Sequence, residues 1–300
     1  QLFDDLFDYL ENGRDDISVK RIDDGTIEVD ADSLKRTVLV HEMAGSSSEG
    51  KPRYRMRVMT SIDDYLSPET IDKYKDQLNR YASTGALISL TDGYHVVSQC
   101  QLGLFPLSTT MELIVHGILA APIGIINSIL SLDGVPNQIR NETSDWDMAA
   151  FEPILIREKK WFHGFDIQDE GVLARSLYDS GEAHFLIISK KRMHPGLANT
   201  GIMVNLSFEG FMPEFADRFL LINTLNSMSF LHGYEPVFGA WYSDSAESVS
   251  YNMFLPDYFR NLEGIHEIVI WILVEQIHLV TSGQARKRVE EYLEIISDTP

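Results

Sequence analysis

Apolar residues near the start of the chain recur at helical spacing. Leu2, Phe3, Leu6, Phe7 and Leu10 share one side of a 3.6-residue repeat, with Asp4, Asp5, Asp8 and Glu11 opposite. This predicts an amphipathic helix ended by Asn12-Gly13. The pattern then changes to short β-prone runs at 17–22, 26–29 and 37–43, the first two divided by the turn pair Asp24-Gly25. A polar Gly/Ser loop over 45–50 leads into a further strand at 53–59. Ser67-Pro68-Glu69 supplies an N-cap, a proline at the first helical position and an acid in the first turn, and Ile71, Tyr74, Leu78 and Tyr81 form the stripe of the helix that follows. Runs at 86–90 and 95–102 flank Thr91-Asp92-Gly93-Tyr94, a hairpin signal, before an apolar helix over 108–132.

The second half has much the same order. A stretch of Gly, Pro and Asn with few apolar residues, 133–145, marks a boundary. Strand-like runs at 172–178, 184–189 and 202–208 precede a helix expected to open at Pro213, with Phe215, Phe219, Ile222 and Leu225 on one side. Runs at 237–242 and 248–255 bracket Ser243-Asp244-Ser245; an apolar helix over 265–280 and a charged amphipathic helix over 284–296 follow. Pro68 with Pro213, Asp92 with Asp244, and Pro106 with Pro256 lie 145, 152 and 150 residues apart, half the chain. We therefore expect an α+β chain of two tandem αβββαββα-type domains, 1–140 and 141–300, each an antiparallel sheet with helices packed on it. Residues 151–169 and the last helix fall outside the simple repeat.

This order and its repetition resemble the YbjN family, whose fold belongs to the type III secretion chaperone-like group. The helix begun by Ser67-Pro68-Glu69, the Asp-Gly hairpin over 86–102 and the long apolar helix after it carry the resemblance, which covers most of each half. It implies a protein-binding or regulatory module rather than an enzyme, because secretion chaperones of this fold dimerise and hold partly unfolded client segments on their surfaces.

Charge narrows the classes of partner. Forty-five acids against 25 bases leave a net charge of −20, a field that repels phosphate backbones and anionic lipid, so neither nucleic acid nor a membrane is expected. One cysteine, Cys100, permits no internal disulfide and fits a reducing, cytoplasmic setting. The opening residues carry acids where a secretory signal carries bases. The 113–132 stretch has the length and apolarity of a membrane span, yet His116, Pro122, Asn127 and two serines interrupt it and basic flanks are missing, which favours a buried core helix.

No complete catalytic motif occurs. His41-Glu42 and His266-Glu267 begin like a zinc-protease helix without the second histidine one turn later, and His266 and His278 diverge by about 120° around one helix. Phosphate-cradling and dinucleotide-binding glycine motifs are absent, and the 45–50 loop is one residue too long for a nucleophile elbow. Cys100 and His95, on one strand at an odd separation, face opposite sides. The acids Asp23-Asp24, Asp30, Asp32 and Asp63-Asp64 lack the spacing of a calcium loop. Neither a metal nor a cofactor is expected.

The most informative pattern is Arg53-Tyr54-Arg55-Met56-Arg57-Val58, where alternation puts Arg53, Arg55 and Arg57 on one strand face and apolar groups on the other. Such a strip suits the carboxylates or a phosphate of a partner, or Glu28 and Glu42 on neighbouring strands. The equivalent strand of the second half carries Met203, Asn205 and Ser207. The two apolar helices invite packing on each other across a pseudo-twofold axis, or a homodimer face on the first. The reading is a non-catalytic, cytoplasmic protein that binds another protein or a second copy of itself. Its rivals are an enzyme, such as a hydrolase, built between the halves from His95, His184, Asp92 and Asp244, and a small-anion sensor at the three arginines.

Overall fold

A computed structural model describes residues 2–13, 17–46, 52–81, 84–102, 107–132, 144–177, 183–194, 197, 199–209, 218–231, 238–243 and 248–297. The first unit runs α1 (Leu2–Gly13), β1 (Ile17–Arg21), β2 (Thr26–Ala31), β3 (Leu34–Ser46), β4 (Pro52–Ser61), α2 (Pro68–Leu78), β5 (Ala86–Leu90), β6 (Gly93–Leu102) and α3 (Leu107–Leu132). The second runs α4 (Glu152–Arg157), β7 (Phe165–Gln168), β8 (Gly171–Leu177), β9 (Ala183–Met193), β10 (Thr200–Glu209), α5 (Arg218–Leu231), β11 (Ala240–Tyr242), β12 (Ser248–Pro256) and α6 (Ile265–Thr281), with α7 (Gln284–Ser297) added.

Each unit forms a six-stranded antiparallel sheet, and the strand orders correspond: β1-β2-β3-β4-β6-β5 and β7-β8-β9-β10-β12-β11. Four strands, not three, precede the middle helix, so each unit is of αββββαββα type. The short α4 stands before β7 as α1 stands before β1, so 151–169 belongs to the repeat after all. Pro106, Pro213 and Asp244 lie outside the described residues; register carries the equivalence instead. Val38 pairs with Ile27 and Val58 in the first sheet as Ile188 pairs with Val172 and Val204 in the second.

One face of β1–β4 and of β7–β10 supplies the main core, while β12 is buried on both faces and Ile71, Leu78, Val96, Val97 and Ile125 form a second buried cluster. Ile27, Val29, Val38, Met56 and Val58 join Val172, Ile188, Val204 and Leu206, together with residues of α1, α3 and α6, in one contiguous buried cluster. The two units are thus distinct in topology but share a core. Their contact is also polar: His116 of α3 lies 2.5 Å from the Tyr258 hydroxyl, and Thr109 donates to the Glu263 carbonyl at 2.7 Å. The closing helices are not each other's main partners; α3 runs along β6, whereas α6 packs with α4 and α7. Among the described residues α3 alone has the length and apolarity of a membrane span, and 72% of that stretch is buried inside the protein.

Proline and arginine meet at the middle of α3. Pro122 has no N–H to offer the Ile118 carbonyl one turn earlier, and a helix-interior proline normally leaves that group stranded. Arg36 of β3, fully buried, donates its Nε to Ile118 O at 2.7 Å. Its Nη1 donates to the carbonyls of Ala31 and Leu34, which frame the two-residue turn Asp32-Ser33, both at positive φ (52° and 62°). Burial holds this guanidinium below the ordinary arginine pKa, against the opposing charges of Asp32, Tyr65 and Asp30.

Candidate functional site

A six-stranded sheet has two edges and two faces, and this fold uses them unequally. The inner edges, β5 and β11, are closed by asparagine side chains. Asn79, directly after α2, accepts from Leu87 N at 2.7 Å and donates to Leu87 O at 2.9 Å. Asn226 of α5 does the same for Trp241 N and O, at 2.9 and 3.0 Å. A carboxamide carries a donor and an acceptor side by side, so it completes a strand edge as a neighbouring strand would. The edge is also closed across units: Asn223 pairs with Ser89 N and O at 2.6 and 3.1 Å, and Asn252 donates to Arg80 O at 2.8 Å. The inner edges are therefore internal joints, and the outer strands β1 and β7 end the sheets.

The arginine strip has changed company. Leu39 and His41 of β3 stand opposite Arg57 and Arg55, while Glu42 pairs with Tyr54, the wrong parity for the arginine face, and Glu28 pairs with Thr37, two strands from β4. Arg55 and Arg57 are half-buried, and both make polar or electrostatic contacts within the protein. Burial and the adjacent positive charge of Arg55 hold the Arg57 guanidinium below its usual value. The side chains of Arg53 and Cys100 lie outside the described residues. Register places Gly201 and Met203 at the equivalent positions of β10, so the arginine pattern belongs to the first unit only.

Of the residues named for an enzyme, the structure brings His95 and Asp92 together and leaves His184 on the other sheet. His95 and Asp92 meet at 3.0 Å within the β5–β6 hairpin, a contact that lowers the Asp92 pKa. His184 sits on the other sheet with its ring against Phe208, where burial pulls its pKa down to about 4. Asp244 lies outside the described residues. His266 packs against Trp146 and Phe151, and His278 against Trp161, so the two do indeed diverge. His116 is a buried joint between units, its pKa lowered to about 3 by burial and by nearby His194. No group of three His, Cys, Asp or Glu among the described residues is placed to hold a metal ion.

The second sheet is where the surface departs from a passive one. On the face away from the core, Leu173 and Ile187 stand directly opposite each other and are 50% and 46% exposed. Half-buried Phe185 and Met203 continue this apolar area along β9 and β10, and exposed Arg175 reaches over the Phe185 ring at 5.6 Å. On the core side of the same sheet, next to β7, a cavity of about 390 Å³ opens between residues 146–152 and β7. Trp146, Phe165 and Ile167 form apolar wall, and Asp147, Glu152, Asp169 and Lys190 contribute charge. A second, apolar groove of about 350 Å³ lies between α4 and α6, lined by Ile154, Ile270 and Trp271. Sequence reading missed all three features, because each gathers residues from several elements.

Comparison with protein-family models, with curated proteins and with solved structures finds no match.

Proposed function

We propose that this chain is a non-catalytic protein-binding module, a tandem YbjN-like adaptor or chaperone of the cytoplasm, and that it receives an apolar segment of a client protein on the open face of its second sheet. The observation that carries this reading is the exposed Leu173–Ile187 pair. Two large aliphatic side chains directly opposite each other, with Phe185 next along β9 and Met203 diagonally across beside Asn205, leave exposed apolar surface in water on a chain of net charge −20. Such patches cost solubility unless a partner covers them. Of the groups that a rival enzyme would use, His95 and Asp92 pair in the first sheet's hairpin, while His184 lies on the second sheet with its ring against Phe208.

The test is capture of partners from native extract by the wild-type protein and by Leu173→Ser/Ile187→Ser. Both positions are exposed, so the variant should keep its unfolding transition while losing the client. A client retained by the variant, or a turnover activity in the purified protein, would overturn the proposal.

A further inference from the structure

Two open sheets present four edges, and among the described residues three of them are guarded. Asparagine side chains complete β5 and β11. The twelve-residue α1 packs beside β1, tied to it by the Arg21–Asp4 ion pair at 2.8 Å, and Lys20 and Arg21 put charge on that edge. The fourth edge, β7, has none of these devices. Its sequence, Phe165-Asp166-Ile167-Gln168, contains no proline, lysine or arginine, and α4, the counterpart of α1, has only six residues.

Register fixes which main-chain groups this edge offers. The Arg175 amide donates to Gly164 O at 3.1 Å, so Gly164, Asp166 and Gln168 turn their main-chain groups towards β8. By alternation Phe165 and Ile167 turn theirs outward, where no described residue meets them. The same two residues line the cavity of about 390 Å³ on the core side of the sheet. A helix pairs its N–H and C=O groups internally, whereas an extended chain offers them at the spacing of about 4.8 Å that a sheet requires. A strand laid against β7 would find two outward N–H and two outward C=O groups, and its residues opposite Phe165 and Ile167 would turn their side chains to the side of the cavity. The residue between them would face the open side, in one cross-strand row with Asp166, Leu173 and Ile187. Asp166 accepts from Gln168 at 2.7 Å and forms no ion pair among the described residues. We infer that β7 receives an extended segment of the bound protein as a seventh strand, with apolar side chains opposite Phe165 and Ile167 and a lysine or arginine opposite Asp166. This rests on the protein-binding reading and adds to it the partner's conformation and its alternation of apolar and basic residues.

The experiment titrates the purified chain with a short capped peptide alternating valine and lysine, read by calorimetry. Its companions carry serine for valine, glutamate for lysine, or N-methyl groups on alternate residues in one register or the other. The parent peptide should bind, and the serine and glutamate peptides should bind at least about fivefold more weakly. One N-methylated peptide should bind as the parent does and the other should not, because successive amides of a strand point to opposite sides. Ile167→Pro removes an outward donor and no ladder bond, so it should keep the unfolding midpoint while weakening the peptide about tenfold. Hydrogen exchange of the unmodified chain gives a reading that needs no variant. The bound peptide should slow the Phe165 and Ile167 amides at least about tenfold and leave those of Asp166 and Gln168, already in the ladder, as they were. Equal binding of the two N-methylated peptides, or unchanged exchange at Phe165 and Ile167 under a peptide that binds, would overturn the strand addition. If the parent peptide fails to bind while client capture still requires Leu173 and Ile187, the strand addition falls and the protein-binding reading stands. If the peptide binds as expected but capture ignores Leu173 and Ile187, the reading of the open face falls instead.

Discussion

Arg36 and Pro122 make a coupled pair that a double-mutant cycle can measure. Arg36 donates to the carbonyl that Pro122 cannot serve, and to two carbonyls of the Asp32-Ser33 turn. Replacing it by leucine leaves Ile118 O without a donor, at about 1–3 kcal/mol, and takes a second donor from the Ala31 and Leu34 carbonyls, which stay paired in the β2–β3 ladder. Part of that cost is offset because the charge no longer has to be taken out of water. A net loss of about 3 kcal/mol is expected for Arg36→Leu, as for other changes that break a buried charged network. In a Pro122→Ala background the backbone amide restored at that position can donate to Ile118 O, so only the additional arginine bonds to the turn carbonyls are lost. The same arginine substitution should then cost about 1–2 kcal/mol less. Four proteins, unfolded in urea and followed by far-UV circular dichroism with a common m-value, give the coupling energy directly. A coupling within about 0.3 kcal/mol of zero, the ordinary additivity error, would refute the claim that Arg36 substitutes for the missing amide.

The remaining predictions concern the joints and the buried histidines. Asn79→Ala and Asn226→Ala each remove two hydrogen bonds from a strand edge, so each should destabilise by about 2–4 kcal/mol in urea unfolding, and a large loss at one site with none at the other would break the equivalence of the units. Burial keeps His116 at about 3 and His184 at about 4, below the ordinary 6.5. The unfolded chain takes up these protons as pH falls through 6.5 and the folded chain does not, so the stabilisation is full above 6.5 and is lost towards the folded values. A loss of about 1–3 kcal/mol should accumulate between pH 6.5 and 4, beginning before the carboxylates titrate; denaturant midpoints constant from pH 7 to 5 would contradict it.

Much of the fold was legible in sequence because its signals are local. Ser67-Pro68-Glu69 marks the start of α2, and Thr70 N donates to Ser67 Oγ at 3.3 Å as an N-cap requires. The apolar runs at 108–132 and 265–280 coincide with α3 and α6 to within a residue, since helical periodicity over so many residues has no strand alternative. The half-chain repeat was visible for the same reason, as two matching series of local signals. Short strands and their turns were less clear. The Asp32-Ser33 turn carries no glycine, so β2 and β3 ran past their expected ends, and the one-turn α4 is too short to show a period.

Local patterns along the chain were enough to set most of the elements, their order outside α4 and β7, their doubling and the acidic charge, because propensity, periodicity and charge are properties of neighbouring residues. What those elements do to one another was settled in three dimensions. In sequence Asn79, Asn223 and Asn226 are ordinary polar residues in or beside two helices; in the fold they close strand edges that would otherwise be free. Arg36 reads as a surface cation until α3, 82 residues away, brings it a carbonyl without a donor. The Leu173–Ile187 patch and the cavity beside β7 depend equally on which faces the packing leaves uncovered. Burial and hydrogen-bond complementarity across long stretches of chain are set by how distant segments pack, and no local pattern encodes them.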